Sequence, residues 1–354
     1  MMRTRMIALA AGMATTALLA SCAKESTPET LPDAAAVTQA APRAVLTPEQ
    51  LAAVQALNLD AEYIAELEAK PLYQFSESDV HVYLGFIQET IPDLRDRIVH
   101  LGRKNIGQPY EIYLLGEFPF ETYDPQPLYC LDRSDCVVFS EHTYAMALSH
   151  DWPSFFTMLQ RIRYKDGQIG VATRNHYTEA DWDKNNSWLV HDITEELGGD
   201  DCVRFTTTFN TAKFLKNRYK LTTDIEPRKM EVAFIPWQKT LEVIDQLQPG
   251  TFVNVMRGRN GGYWAGHTGL ITRSEDGTVN FMHSTPPRVK EQPLAEYIEQ
   301  CVAANAKKAE EGKAVFYGFK FLQVNDDPLA ELRAIDGPNA PVIKPPMGST
   351  LDGG

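Results

Sequence analysis

Aromatic and aliphatic residues continue without a break from Leu46 to about Leu332, and this stretch constrains the fold more than any other feature. A linker rich in Pro, Gly or Ser would divide such a core, and the sequence shows none inside the stretch. We therefore expect one domain of fewer than about 300 residues, assigned to 47–335. The Pro- and Gly-rich residues 336–354 are predicted to form a tail outside that domain.

The first residues have the pattern of a secretory signal. Arg3 and Arg5 precede an apolar run from Met6 to Leu19, which is short for a membrane span, so 1–21 is predicted to be a signal peptide. The sequence Leu-Ala-Ser-Cys at 19–22 resembles the lipobox of bacterial lipoproteins, which implies lipidation of the Cys22 thiol after cleavage. An ordinary signal peptide with an incidental cysteine is the alternative.

Residues 22–46 contain much Ala, Pro, Thr and Glu and few large apolar residues, which predicts a flexible tether. Several acyl chains on Cys22 would hold the protein stably on a membrane through this anchor. No Asp directly follows Cys22. By resemblance to lipoproteins of Gram-negative bacteria, this favours an exported lipoprotein of the outer membrane that faces the periplasm, if the source is Gram-negative.

The formal net charge of -13 argues against a nucleic-acid partner, because such partners require a basic surface. Export would place the cysteines in an oxidising compartment, where the four beyond Cys22 can form disulfides. Full pairing allows three connectivities, one of which joins Cys130 to Cys136. No Cys or His cluster has zinc spacing, so we expect neither a metal nor another cofactor.

Local patterns predict helices first and an antiparallel sheet later, which is an α+β fold. Predicted helices cover Leu46–Lys70, Ser76–Gly102 and Asp135 to about Ser149, the last with apolar residues on more than one face. Predicted strands cover Thr251–Met256, His267–Arg273, Thr278–Ser284 and Phe316–Val324, with a hairpin turn at Glu275-Asp276-Gly277.

Cys136 stands where a polar run becomes an apolar run compatible with a helix. Ser134 and Asp135 are good N-cap residues, so the thiol is expected in the first turn. The helix dipole and free N–H groups there favour the thiolate, which is the reactive form of a nucleophile. The alternative is a buried cysteine that only packs.

His267 and His283 lie on the two arms of the predicted hairpin, where a turn at Asp276-Gly277 makes them approximate cross-strand neighbours. A thiol nucleophile needs a base, and the base needs a polar group that fixes its tautomer. His267 is therefore the candidate base and His283 the candidate orienting group. Otherwise the two histidines only cap strand ends near solvent.

Four short motifs follow one another along the chain: DCVVF at 135–139, LQPG at 247–250, GHTGL at 266–270 and FMHS at 281–284. In this order they resemble the Cys, His and third-polar-residue blocks of the NlpC/P60 superfamily of papain-like cell-wall hydrolases. Val137 and Thr268 depart from the usual pattern of that superfamily, which has Thr or Ser at the first position and Val at the second. Neither change removes a catalytic atom.

The segments RIRYKDG at 161–167 and RNHY at 174–177 resemble the DUF1460 branch, whose studied members are N-acetylmuramoyl-L-alanine amidases. The resemblance runs from about Gly107 to Val324. It implies a papain-like NlpC/P60 core in which the cysteine helix packs on the sheet, and a Cys136–His267–His283 triad. The implied reaction hydrolyses the amide bond between N-acetylmuramic acid and L-alanine through a thioester.

The implied substrate is peptidoglycan or a muropeptide, which carries carboxylates on its peptide stem and a sugar ring on the other side. Arg163, Arg174 and His176 are predicted to bind the polar groups of this substrate, and Tyr110 and Trp264 to stack on a ring. Two other functions remain open. One is an endopeptidase that cuts within the stem peptide, and the other is a non-catalytic wall-binding lipoprotein.

Overall fold

The computed structural model describes residues 43–337. The signal peptide, Cys22, most of the tether and the tail from residue 338 lie outside the described residues, so these assignments remain predictions. Among the helices within 43–337, none is long and apolar enough to cross a bilayer.

Helices and strands are numbered here in chain order. The helices are α1 (Pro48–Ala56), α2 (Ala61–Ala69), α3 (Glu77–Thr90), α4 (Leu94–Lys104), α5 (Cys136–Ala147), α6 (Trp152–Arg163), α7 (Asp183–Asn185), α8 (Thr194–Gly198), α9 (Thr211–Tyr219), α10 (Trp237–Val243), α11 (Leu294–Glu310) and α12 (Pro328–Asp336). The strands are β1 (Val190–Asp192), β2 (Val203–Phe209), β3 (Arg228–Pro236), β4 (Phe252–Arg259), β5 (Gly262–Arg273), β6 (Val279–Thr285), β7 (Arg288–Pro293) and β8 (Val315–Val324).

The strands form one antiparallel sheet in the order β2-β3-β8-β4-β5-β6-β7, with β1 paired to β8. Its residues pack into two apolar clusters. One cluster joins Leu270 and Met282 to the N-terminal helices, α5 and α6, and the other joins Ile271 and Phe281 to α10 and α11. Because successive strand residues point to opposite faces, the two clusters lie on opposite sides of the sheet. The predicted α+β class is confirmed.

The extents of the two long helices predicted near the N-terminus were wrong, because each predicted helix is divided into two shorter helices. Residues 46–70 form α1 and α2, separated at Asn58, whose φ is 52°, and at Asp60, which caps α2. Residues 76–102 belong to α3 and α4, where Pro92 follows the first helix and Asp93 caps the second. Proline disfavours helical backbone in the residue before it, which ends α3 at this point.

Helix α5 carries the cysteine and is buried on all sides, since every residue from Val138 to Ala147 is buried. This confirms the expectation drawn from its apolar residues on more than one face. The helix packs on α4, α6, β5 and β6. Its N-terminus is thereby held rigidly against the two strands that carry the histidines.

The β5–β6 hairpin closes through Gly277, whose φ is 87°, as the turn signal predicted. Its pairing extends from Arg273 with Val279 to Leu270 with Met282 and ends there. Strand β6 continues beside β7 as far as Thr285. The two strands therefore separate at the level of residues 267 and 283.

Candidate active site

Asp135 fixes the start of α5. Its Oδ1 accepts hydrogen bonds from the backbone N–H groups of Val137 at 3.0 Å and Val138 at 2.9 Å. This is the N-cap arrangement that the sequence predicted. Cys136 follows as the first residue of the helix, and its own N–H donates to no atom of residues 43–337.

The Cys136 side chain is half-buried and remains partly accessible, and its sulfur is not in a disulfide. Burial and then the Asp135 charge raise the pKa of the thiol to about 11, although hydrogen bonding by the backbone of Thr268 and Val137 lowers it. The expectation that the helix start would favour the thiolate was therefore wrong. Desolvation outweighs the helix terminus, and the resting group is a neutral thiol.

His267 Nε2 and His283 Nδ1 are 2.6 Å apart, so the hydrogen bond expected between the two side chains is present. Their rings meet edge to face, with centroids 4.9 Å apart. Burial lowers the pKa of His267 to about 3, with contributions from the charges of Arg257 and Lys290. Burial is also the main reason that the pKa of His283 is lowered to about 2, and the charges of His267 and Lys290 lower it further. Both rings are neutral near pH 7.

The thiol lies at the point where β5 and β6 separate, next to the backbone of Thr268. Thr268 directly follows His267, so the sulfur contacts the strand that carries the candidate base. No hydrogen bond joins the sulfur to His267 within the described residues. If Nε2 of His267 carries the proton and donates it to His283, Nδ1 has a free lone pair that can accept the thiol proton.

A pair of serines connects the cysteine segment to β6. The Ser284 hydroxyl donates to the carbonyl oxygen of Ser134 at 2.8 Å, and the Ser134 hydroxyl donates to Gln108 Oε1 at 2.6 Å. Both serines are buried. Ser134 lies two residues before Cys136 and Ser284 directly follows His283, so these bonds fix the candidate nucleophile relative to the strand of the candidate orienting histidine. Sequence reasoning missed this contact.

Tyr110 and Trp264 have different surroundings. Burial is the main reason that the pKa of Tyr110 is raised, and the charges of Cys136, Asp135 and Tyr113 raise it further. The phenol therefore lies close to the start of α5. Trp264 lies on β5 three residues before His267 and is 38% exposed. Tyr110 therefore lies near the thiol, and the ring-stacking role of both residues remains a prediction.

Arg163 and Arg174 each form an ion pair with a carboxylate inside the protein. Arg163 donates to Glu141 on α5 at 3.1 Å and to the carbonyl oxygen of Leu115 at 3.2 Å. Arg174 holds Glu117 through Nε at 2.7 Å and Nη2 at 2.5 Å. A guanidinium that already holds a carboxylate gains less from one on a substrate. These pairs tie the segment around residues 115–117 to α5 and to the residues after α6.

His176 is likewise engaged by the protein. Its Nε2 lies 2.6 Å from the carbonyl oxygen of Val171, and its ring packs on Phe214 and Tyr219. Burial lowers its pKa to about 3, with a further contribution from Arg174. The structure thus places Arg163, Arg174 and His176 in internal contacts, whereas Cys136 and Tyr110 lie at the start of α5 and the hydrogen-bonded histidines on the neighbouring strands. The substrate-binding role of Arg163, Arg174 and His176 remains a prediction without support from these contacts.

Arg257 on β4 and Lys290 on β7 were not predicted from the sequence, although the charges of both act on His267. Lys290 is the cross-strand partner of His283. The register of β6 and β7 could have indicated it, but no strand was predicted at 288–293. Arg257 follows a register shift between β4 and β5, which local sequence does not show.

A family model described as AmiA-like, N-acetylmuramoyl-L-alanine amidase-like, matches residues 100–303, more than half of the chain. A solved structure of a Legionella pneumophila protein, assigned to the family model DUF1460, is 19% identical with a TM-score of 0.59, over 70% of this chain and 95% of that one. At this identity the likeness shows the fold alone. A solved N-acetylmuramoyl-L-alanine amidase from Bacteroides uniformis is 21% identical with a TM-score of 0.49, over 66% of this chain and 99% of that one. No curated protein matches the chain.

The raised pKa of Cys136 predicts how its alkylation by iodoacetamide depends on pH. Only the thiolate reacts, so the rate constant should still rise at about pH 10, because the folded pKa is about 11. In urea the rate constant for the same cysteine should level off above about pH 9, because the unfolded thiol has an ordinary pKa of about 8.5. Mass spectrometry of the peptide that contains Cys136 measures both rates.

Asp135→Asn is the matched variant, because an amide oxygen can still cap α5 while the charge is lost. It should move the midpoint of alkylation to lower pH. A rate in the folded protein that levels off below about pH 8 would show a stabilised thiolate and contradict the neutral resting pair.

Proposed function

The chain belongs to the AmiA-like family of N-acetylmuramoyl-L-alanine amidase-like proteins, and we propose that it is a cysteine amidase that cuts the bond between N-acetylmuramic acid and L-alanine in peptidoglycan or its fragments. One observation carries the proposed chemistry. Cys136 starts a capped, buried helix at the strand that carries His267, and His267 is hydrogen-bonded to His283. A thiol next to the strand of an imidazole that is itself hydrogen-bonded supports the roles of nucleophile, base and orienting group for these three residues.

The proposed core is that of the papain-like NlpC/P60 superfamily. Its support is the packing of a helix with an N-terminal cysteine against an antiparallel sheet whose neighbouring strands carry the two histidines. The motif order from Cys136 to His283 agrees with this arrangement.

In the first step His267 Nδ1 takes the proton of the Cys136 thiol as the sulfur attacks the carbonyl carbon of the lactyl amide. The proton transfer accompanies the attack, because both partners are neutral at rest. His283 accepts the Nε2–H hydrogen bond and stabilises the imidazolium, a role that a carboxylate or amide has in other triads.

The carbonyl oxygen becomes an oxyanion and needs hydrogen-bond donors. The N–H of Cys136 is the available donor at the helix start, since those of Val137 and Val138 are occupied by Asp135. His267 then gives its proton to the alanine nitrogen, and the carbon–nitrogen bond breaks. The stem peptide leaves with a free amino group, and the lactyl carbonyl remains on sulfur as a thioester.

Water completes the reaction. His267 removes a proton from a water molecule that attacks the thioester carbonyl, and the carbon–sulfur bond breaks. The sulfur recovers a proton from His267, and the sugar leaves with a free lactyl carboxylate. Atoms balance with one water molecule consumed for each amide bond.

Digestion of purified muropeptides by the mature domain, with products identified by mass, tests the proposal. The expected products are the free sugar carboxylic acid and the intact stem peptide. Cys136→Ala should lose at least about 10³-fold in rate, because the nucleophile is removed. A cut within the stem would instead support an endopeptidase, and equal inactivity of both proteins would contradict a catalytic role.

His283→Ala should lower kcat/KM by about 10²-fold, mostly through kcat, because His267 loses the partner that fixes its tautomer. His283→Asn should retain more activity, since an amide oxygen can accept the same hydrogen bond. His81→Ala, at an exposed position on α3, is the control and should behave as the unaltered protein. Equal kinetics for His283→Ala and the control would remove His283 from the mechanism.

We further propose that residues 1–21 direct export and that lipidated Cys22 anchors the protein, in the outer membrane if the source is Gram-negative. The sequence pattern at 19–22 is the support for this part. The mass of the N-terminal peptide from the membrane fraction should show acyl chains on Cys22. An unmodified peptide, or membrane retention of Cys22→Ser, would contradict the anchor.

A further inference from the structure

Two cationic side chains lie on either side of the histidine pair. In the sheet order β4-β5-β6-β7, Arg257 is on β4 and Lys290 is on β7, with His267 and His283 on the strands between them. Lys290 is directly opposite His283, and both cations are close enough to His267 to lower its pKa. The mechanism described above uses neither cation.

The Arg257 side chain is held along its length but not at its head. Its Cβ, Cγ and Cδ pass over Gly266, where an added Cβ would lie only 2.7 Å from Cδ. Its Nε is buried and has no hydrogen-bond partner among the described residues. Neither an ion pair nor a hydrogen bond within 3.5 Å joins Arg257 to another residue of 43–337, although its guanidinium is near enough to the Tyr297 hydroxyl to lower the pKa of that group. A buried donor of this kind normally has a partner, so this one is available to a ligand.

Lys290 is similarly available. Its Nζ donates to Gln292 Oε1 at 3.1 Å, and no carboxylate pairs with it in the described part of the chain. The Nε2 of Gln292 and the hydroxyl of Tyr297 are also buried without a partner there. The ring of Tyr297 lies 5.3 Å from that of His283, centroid to centroid. Unsatisfied polar atoms therefore gather on the side of the sheet to which the histidines point.

Other arginines with largely buried side chains have partners within 43–337. Arg161, Arg163 and Arg174 each hold a carboxylate of the protein, and Arg97 donates to three backbone carbonyl oxygens. The chain has 47 acidic and 34 basic residues, so carboxylates are plentiful. The two cations beside the histidine pair have no acidic partner among the described residues, which favours the binding of an external anion there.

We propose that Arg257 and Lys290 form a subsite that binds a carboxylate of the stem peptide, on the amine side of the bond that is cut. This inference rests on the proposed function, which supplies the substrate. The stem residue after L-alanine is an acidic amino acid that is linked onward through its side chain, so its α-carboxylate is free. That group lies one residue beyond the scissile amide.

A bound carboxylate would also act on the chemistry. The positive charges of Arg257 and Lys290 oppose protonation of His267, and an anion between them reduces that opposition. His267 must accept a proton as the thiol attacks, so a substrate with the carboxylate should show a higher kcat as well as a lower KM.

Two N-acetylmuramoyl-L-alanyl peptides that differ only at the α-carboxyl of the second residue test the subsite. One carries D-glutamate with this carboxylate free, and the other carries D-isoglutamine, in which it is an amide. The unaltered protein should cut the free acid with a kcat/KM about 10- to 100-fold higher, as expected for charge-assisted hydrogen bonds. Arg257→Gln and Lys290→Gln should each reduce this preference, and the double variant should abolish it.

Arg259→Gln is the matched control, because Arg259 is an exposed arginine on the same strand. It should leave the preference unchanged. Thermal melting of each variant separates a binding effect from a loss of folding. Equal rates on the two substrates, or a preference that survives in the folded double variant, would overturn the subsite while the amidase activity stands.

A binding measurement separates the subsite from the activity. Calorimetry with the Cys136→Ala protein compares L-alanyl-D-glutamate with L-alanyl-D-isoglutamine, and the first should bind at least about tenfold more tightly. Arg257→Gln in the same background should remove the difference. If the difference is present while neither muramoyl substrate is cut, the subsite stands and the proposed function fails. If the dipeptides bind equally, the subsite is contradicted whatever the activity.

Discussion

The packing of α5 between the N-terminal helices and the sheet determines where the reactive group lies. Residues Val138–Ala147 are all buried, so the helix has no freedom to slide or rotate. Its first residue is therefore fixed, and the bond from Ser284 to Ser134 sets that residue against β6. The β5–β6 pairing ends at Leu270 and Met282, so the two strands separate at the level of His267 and His283. Rigid elements thus hold the candidate site in the fixed geometry that the proposed catalysis requires.

Burial also determines the charge state of the site. An isolated helix N-terminus would favour a thiolate, but here desolvation and the Asp135 carboxylate keep the pKa of Cys136 high. The same desolvation, together with two nearby cations, keeps the pKa of His267 low. For the proposed mechanism, a neutral thiol and a neutral imidazole imply that the proton moves during the attack, as in general-base catalysis.

The parts of this site that depend on local sequence signals were predicted from the sequence. Asp135 before an apolar run indicated the helix start, and the turn at 275–277 placed His267 and His283 on paired strands. The NlpC/P60-like core was inferred from a resemblance and remains a proposal. A local signal was also missed, because Asn260-Gly261 is a strong hairpin turn and β5 begins at Gly262, five residues earlier than predicted.

Other features depend on tertiary structure and leave no local signal. The pairing of Arg163 with Glu141 and of Arg174 with Glu117 depends on burial that the spacing of charges does not show. The position of Arg257 follows a bulge between β4 and β5. The pKa of Cys136 depends on how closely the surrounding chain approaches, which no residue pattern near position 136 indicates.

The central claim is that Cys136 carries the sugar as a thioester during the reaction. Acid quenching of the full domain during turnover of a muropeptide, followed by mass spectrometry of the cysteine peptide, measures this directly. The account predicts an N-acetylmuramoyl adduct on Cys136 that hydroxylamine removes. A stem-peptide adduct on Cys136, or continued turnover without any adduct in Cys136→Ala, would contradict it.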